Sequence, residues 1–305
     1  MTTNAADGVE RAGRQVAGHK AFHAFCRSGL VARGVLYLLI GWLAVQIGLG
    51  DGGQEADKQG ALQTVADKPG GTVMLWLLTA GFAGLALWRF SEAAFGQPTA
   101  DGRKATKRLA SFGRGVFYSA GFVTMLNFVL GQGGNSSNEQ SKTYTARAME
   151  HTGGRWLVLA VGIGFFAWGV GSVVGAVRRK FLERLNTGQM SRRTRTVVKT
   201  LGVVGRASRG VVFGGVGVFL GYAAITFDPG KAKGLDGTLR QFAGTPAGPW
   251  LLVVVAVGLL VFGAYSFCEA RWRKVEAVRN GSRGRGRGRG RAGRGGARRL
   301  LPQVR

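Results

Sequence analysis

Three arginines in this chain stand in nearly the same local sequence, each just before a long apolar stretch. The motifs read Arg33-Gly34-Val35-Leu36-Tyr37, Arg114-Gly115-Val116-Phe117-Tyr118 and Arg209-Gly210-Val211-Val212-Phe213. Two glutamates, Glu92 and Glu269, close later apolar stretches. At the edge of a membrane, a charge-assisted hydrogen bond to a guanidinium offsets the cost of burying a carboxylate. We therefore predict two ion pairs, Arg33 with Glu92 and Arg209 with Glu269.

A second set of polar residues lies deeper in the same stretches. Gln46, Asn127 and Tyr222 each follow their motif arginine by 13 residues. At 1.5 Å per residue, these side chains lie about 20 Å further along a helix. If the three helices line a common axis, the set forms one polar level that could contact a solute. The other interpretation is hydrogen bonding between helices, worth about 1 kcal/mol or less for each bond.

Catalytic and metal-binding patterns are much weaker. His19, His23 and Cys26 follow helical spacing, but zinc normally takes a fourth ligand and the sequence shows none. No His or Cys stands near a nucleophile, and no pair of carboxylates lies inside an apolar stretch. The chain is therefore not predicted to be an enzyme, or to hold a cofactor or a metal.

The elements that position these residues are six uncharged apolar blocks, separated by polar and mostly basic connectors. About 20 apolar residues in a helix cross the hydrocarbon core of a bilayer, and the blocks approach or reach that length. The blocks cover residues 34–50, 72–88, 115–131, 156–177, 210–227 and 250–268. The predicted fold class is an all-α integral membrane protein with six transmembrane helices.

The blocks repeat in pairs at nearly constant spacing. The distance from each motif arginine to a glycine before the second block is 38, 40 and 39 residues, ending at Gly71, Gly154 and Gly248. Such self-similarity predicts three tandem helical hairpins of like orientation. The predicted parts are a disordered segment 1–18, hairpins 19–96, 107–180 and 198–276, and a disordered Arg/Gly-rich tail 277–305.

With these motifs in place, the chain resembles a bacterial membrane-protein family catalogued as domain of unknown function 1206. Members of that family look like three tandem two-helix units that open with Arg-Gly and often close with a glutamate. The resemblance covers residues 20–275, and Glu92 and Glu269 match the closing position. The middle copy departs from the pattern with Gly175 there. The resemblance implies no activity.

Charge predicts the orientation in the membrane. Of the 42 Lys and Arg residues, 34 fall before residue 34 and in the segments 89–114, 178–209 and 269–305. Basic loops stay on the cytoplasmic side of a membrane. We therefore expect a multi-pass protein of the bacterial cytoplasmic membrane with both termini in the cytoplasm.

The tail carries the densest positive charge. Its predicted polyanion-binding residues are Arg283, Arg285, Arg287, Arg289, Arg291 and Arg294. Alternating Arg and Gly cannot form a core and stays solvated, so the tail is available to anionic lipid headgroups. Nucleic acid is the competing polyanion, although the tail lacks interleaved aromatic residues for stacking on bases. Glycine pairs inside the blocks leave a protein partner or self-association open.

Three functions stay open at this point. The leading one is a non-enzymatic membrane component whose basic cytoplasmic face binds anionic lipid or a partner. The alternatives are a small transporter or channel that uses the polar level, and a membrane tether for nucleic acid that uses the tail.

Overall fold

The computed structural model describes residues 20–50, 55–97, 104–132, 136–244 and 248–273. The predicted segments 1–18 and 277–305, with His19 and the tail arginines, lie outside the described residues. In the described part the chain is all helical. Its nine α-helices are α1 (Lys20–Leu49), α2 (Lys58–Ala66), α3 (Gly71–Phe95), α4 (Ala105–Val129), α5 (Ser137–Met149), α6 (Gly154–Val177), α7 (Arg192–Thr226), α8 (Leu235–Ala243) and α9 (Gly248–Trp272).

Five of the helices are long and apolar enough to cross a membrane: α3, α6, α7, α9 and the part of α1 from Arg27 to Leu49. The predicted sixth span corresponds to α4, which does not reach that level of hydropathy. Helix α4 is 25 residues long. Its first half carries Lys107, Arg108 and Arg114, so its longest uncharged stretch is residues 115–129. Five of the six predicted spans are thus helices with the length and hydropathy needed to cross a membrane.

Each repeat has the same order of elements, a long helix, a short helix and a second long helix. The most extensive contacts join different repeats: α3 packs on α4, α6 on α7, and α9 on α1. The third repeat therefore closes back onto the first. Within repeats, α1 contacts α3 and α7 contacts α9, but α4 and α6 barely touch. The six long helices form a ring in the order α4, α3, α1, α9, α7, α6, which is open between its two ends.

The glycine that follows each motif arginine lies at a contact between repeats, and at Gly34 and Gly210 this contact brings two helix backbones together. A Cβ atom on Gly34 would lie 3.1 Å from the carbonyl oxygen of Gly263 in α9. One on Gly210 would lie 2.8 Å from the carbonyl oxygen of Gly169 in α6. Only a residue without a side chain allows two helix backbones to approach so closely. Each motif therefore sits at the contact with the last long helix of another repeat.

The three short helices meet at the end of the bundle opposite the motif arginines. Asp57 caps α2 by accepting a hydrogen bond from the Gly60 amide, and its other oxygen accepts one from the Ser137 amide at 2.6 Å. The Ser137 hydroxyl in turn accepts from the Leu235 amide at 3.1 Å. Asp236 accepts from the Ala56 amide at 2.8 Å. These bonds tie α2, α5 and α8 into a lid, a name we keep for these three helices.

A candidate anion-binding chamber

The motif arginines converge at one end of the ring, where they line a single cavity of about 250 Å³. We call this cavity the arginine chamber. All six long helices and the segment that follows α6 contribute to it. Its basic lining residues are Arg33, Arg89, Arg114, Arg184, Arg206, Arg209 and Arg273.

Two buried carboxylates neutralise part of this charge, with partners that differ from the predicted ones. Arg33 donates to Glu269 at 2.6 Å, and Arg89 donates to Glu92 at 2.6 Å. Arg273 binds both carboxylates, contacting Glu92 at 3.5 Å. These five side chains are only 2% to 4% exposed. The predicted pairs Arg33–Glu92 and Arg209–Glu269 are therefore wrong. Arg33 on α1 pairs with Glu269 on α9 of the third repeat, and not with the glutamate of its own hairpin.

The other four arginines of the chamber contact no carboxylate among the described residues. Arg209 donates from Nε to the hydroxyl of Tyr37 at 2.9 Å, and its guanidinium lies 5.0 Å from the ring centres of both Trp168 and Phe262. For Arg209 the adjoining repeat offers no carboxylate, whereas Arg114 lies beside the repeat that carries Glu92 and makes no ion pair with it. Arg33 finds its carboxylate in the adjoining repeat, and the equivalent position for Arg209 is occupied by Gly175. Aromatic faces attract a cation, but they do not neutralise it.

Several guanidinium nitrogens in the chamber lack a hydrogen-bond partner. Nη1 of Arg114 and the Nε atoms of Arg89, Arg206 and Arg273 are buried and unpaired. Burial, together with the positive charges of Arg273 and Arg89, lowers the pKa of Arg184 to about 10. Unpaired buried donors on charged groups are costly, since each loses its water without gaining an acceptor. An anion in the chamber would supply acceptors and charge at once.

A second cavity of about 250 Å³ continues from the chamber along the axis of the ring towards the lid. The fifth residue of each motif lines it: Tyr37, Tyr118 and Phe213. Arg33 bridges the two cavities, since it lines both and donates to the Tyr118 hydroxyl at 3.4 Å. Sequence reasoning missed this aromatic layer. The signal was available, because residues four apart share one face of a helix and all three motifs have an aromatic residue at that offset.

The predicted polar level does not form on the axis. Gln46 is half-buried, Asn127 and Tyr222 are exposed, and none of the three lines the chamber or the axial cavity. Helical geometry gives the reason. Thirteen residues at roughly 100° each rotate a side chain by about 1300°, which leaves it some 220° from the arginine. When the arginine faces the axis, the residue 13 positions later faces outward.

Together, the apolar helices and the repeated architecture define this chain as an all-helical membrane protein built from an internal repeat. It belongs to the family described as Domain of Unknown Function (DUF1206), whose model matches it three times, at residues 28–96, 109–179 and 204–273. The chain is also similar to "Uncharacterized protein YxxB" of Bacillus subtilis, with 32% identity over 250 residues, which is 80% of this chain and 89% of that protein. No solved structure matches the chain at a significant level.

Proposed function

We propose that this protein is a non-enzymatic component of the bacterial cytoplasmic membrane that binds an oxyanion, such as a phosphate group, in the arginine chamber. The six long helices cross the bilayer as three like-oriented hairpins. The chamber and both termini face the cytoplasm, in keeping with the placement of 34 of 42 basic residues. The basic surface that binds anions is then formed by the folded ring as well as by the tail.

The observation that carries this proposal is the charge balance of the chamber. Seven arginines line one cavity, and two carboxylates pair with three of them. Guanidinium groups bind phosphate oxygens through paired, directional hydrogen bonds and remain charged when buried. A cavity that concentrates unpaired guanidinium groups therefore favours a ligand with several anionic oxygens.

The test is calorimetric titration of inorganic pyrophosphate into the purified full-length protein in detergent. Arg114 is the residue to change, because its Nη1 is buried without a partner. A charge-assisted hydrogen bond contributes about 1.5–3 kcal/mol, so Arg114→Gln should weaken binding by about tenfold or more. The matched control is Arg195→Gln on α7, an exposed arginine away from the chamber. Equal affinities of the Arg114→Gln protein and the unchanged protein would contradict the proposal.

A second variant reverses the feature that distinguishes the middle repeat. A Cβ atom on Gly175 has open space around it, and Gly171, one helical turn earlier, lines the chamber. Gly175→Glu should place a carboxylate near Arg209 and weaken pyrophosphate binding. Gly175→Gln has the same shape without the charge and should leave the affinity nearly unchanged. Equal losses in both variants would point to crowding and count against the electrostatic argument.

A transporter is the second candidate, and the axial cavity favours it. This cavity joins the chamber at Arg33 and ends beneath Asp57 and Lys58 of the lid. An anion could pass along this axis only if the lid opens. Substitutions in the lid are therefore the ones expected to change the rate of anion flux across the membrane. The nucleic-acid tether and the role of the tail arginines stay predictions, since that segment lies outside the described residues.

A further inference from the structure

The opening between α4 and α6 is an apolar groove on the side of the ring. Its volume is about 510 Å³, within the range of roughly 300–1,000 Å³ that ligand sites occupy. Its walls include Val116 on α4, Val161 and Phe165 on α6, and two glycines, Gly113 and Gly164, that leave its floor open. We call it the side groove.

The side groove and the arginine chamber are continuous. Arg114, Phe117 and Trp168 line both of them. Phe117 and Trp168 approach edge to face with ring centres 5.6 Å apart, and they form the contact between α4 and α6 at this level. Arg114 is the charged residue among those that line the groove, and it stands where the apolar wall ends and the chamber begins.

This arrangement matches one ligand chemistry better than a free anion. A soluble phosphate would bind in the chamber, and the apolar walls of the groove would then contact no part of the ligand. A membrane lipid with a phosphate headgroup would use both, since its acyl chain fits an apolar groove and its phosphate fits the arginines. Among the five helices that reach spanning hydropathy, α6 is the least enclosed, with 17% of its apolar window buried against 50–56% in the other four. Lipid therefore has direct access to this side of the ring.

We infer that the ligand of the chamber is an anionic phospholipid, which reaches it sideways through the groove between α4 and α6. The acyl chain lies in the side groove, and the phosphate passes the Phe117–Trp168 contact to bind Arg114 and Arg209. This inference rests on the proposed function of the chamber and adds the class of ligand and its route.

The experiment fills the groove and leaves the chamber unchanged. Gly113 and Gly164 both have open space at Cβ, so we expect the double variant Gly113→Leu/Gly164→Leu to narrow the groove. The control is Ala120→Leu/Ala160→Leu, which adds the same side chains at exposed positions of the same two helices outside the groove. Each full-length protein in detergent is titrated with short-chain phosphatidic acid, with glycerol 3-phosphate, which has the same headgroup without chains, and with inorganic pyrophosphate.

If the acyl chain lies in the side groove, the unchanged protein should bind phosphatidic acid at least tenfold more tightly than glycerol 3-phosphate. The groove variant should lose that difference, while it still binds pyrophosphate and melts at the temperature of the control. Retention of tight phosphatidic acid binding by the groove variant would overturn the lateral route. Equal affinity of the unchanged protein for the two headgroup compounds would overturn the lipid assignment. Failure of pyrophosphate to bind the unchanged protein would instead overturn the proposed function.

Discussion

At the scale of single residues, the stability of the chamber depends on its two carboxylates, which neutralise only part of the charge of its arginines. Glu269 accepts hydrogen bonds from both Arg33 and Arg273, and Glu92 holds Arg89 and Arg273. Removal of Glu269 leaves the buried Arg33 without a carboxylate and leaves Arg273 with Glu92 alone. Removal of one arginine leaves a glutamate that still has a second cationic partner. The two kinds of substitution are therefore not equivalent for stability.

Glu269→Gln should consequently destabilise the protein more than Arg33→Gln does. Breaking a buried ion pair typically costs about 3–5 kcal/mol, and we expect the glutamate variant to fall in that range. The arginine variant should cost less, because it also lowers the repulsion among the remaining arginines. Thermal unfolding in detergent measures the order. An Arg33→Gln protein that melts below the Glu269→Gln protein would contradict this account of the charge balance.

At the scale of elements, glycine decides which helices lie together. A Cβ atom on Gly169 of α6 would lie 2.6 Å from the carbonyl oxygen of Gly210 and 2.7 Å from the backbone of Gly214, both in α7. Backbone atoms cannot move aside as a flexible side chain can. On the same helix, Gly164 has nothing within 4 Å of its Cβ position. A side chain at position 169 would therefore clash with the backbone of α7, whereas a Cβ atom at position 164 would meet no neighbouring atom.

The pair Gly169→Ala and Gly164→Ala tests this difference with the smallest change available. Gly169→Ala should lower the free energy of unfolding by about 1–3 kcal/mol, because it forces α6 and α7 apart. Gly164→Ala should be neutral or stabilising by up to about 1 kcal/mol, since alanine favours the helix. Unfolding of the two variants under the same detergent conditions gives both values. A similar effect at the two positions would show that close approach of α6 and α7 is not what requires Gly169.

At the scale of the whole molecule, the ring has two unlike ends. The motif arginines lie at one end, and the lid of short helices lies at the other. Repeats of equal orientation place equivalent residues at one depth, related by an axis along the membrane normal. Arg178, which follows α6, is exposed near the chamber end, and Asp67, which follows α2, is exposed at the lid.

Single cysteines at these two positions should be labelled from opposite sides of the membrane. In a protein whose Cys26 and Cys268 are replaced by alanine, a membrane-impermeant maleimide applied to whole cells should react with Asp67→Cys. It should react with Arg178→Cys only after the membrane is opened, since the basic end is expected in the cytoplasm. Labelling of both positions from outside would contradict the proposed topology of the ring.

The sequence by itself determined where the helices run, how often the unit repeats and which arginines are equivalent. Apolar blocks and motif spacing are local properties of the chain, and five of the six predicted spans and the threefold family match agree with them. The tertiary structure alone decided that Arg33 pairs with Glu269, that Arg209 lies among aromatic rings, and that the ring is open between α4 and α6. These facts depend on which helix faces lie together. That choice follows from contacts between residues that are distant in sequence, such as the approach of Gly34 on α1 to the carbonyl oxygen of Gly263 on α9.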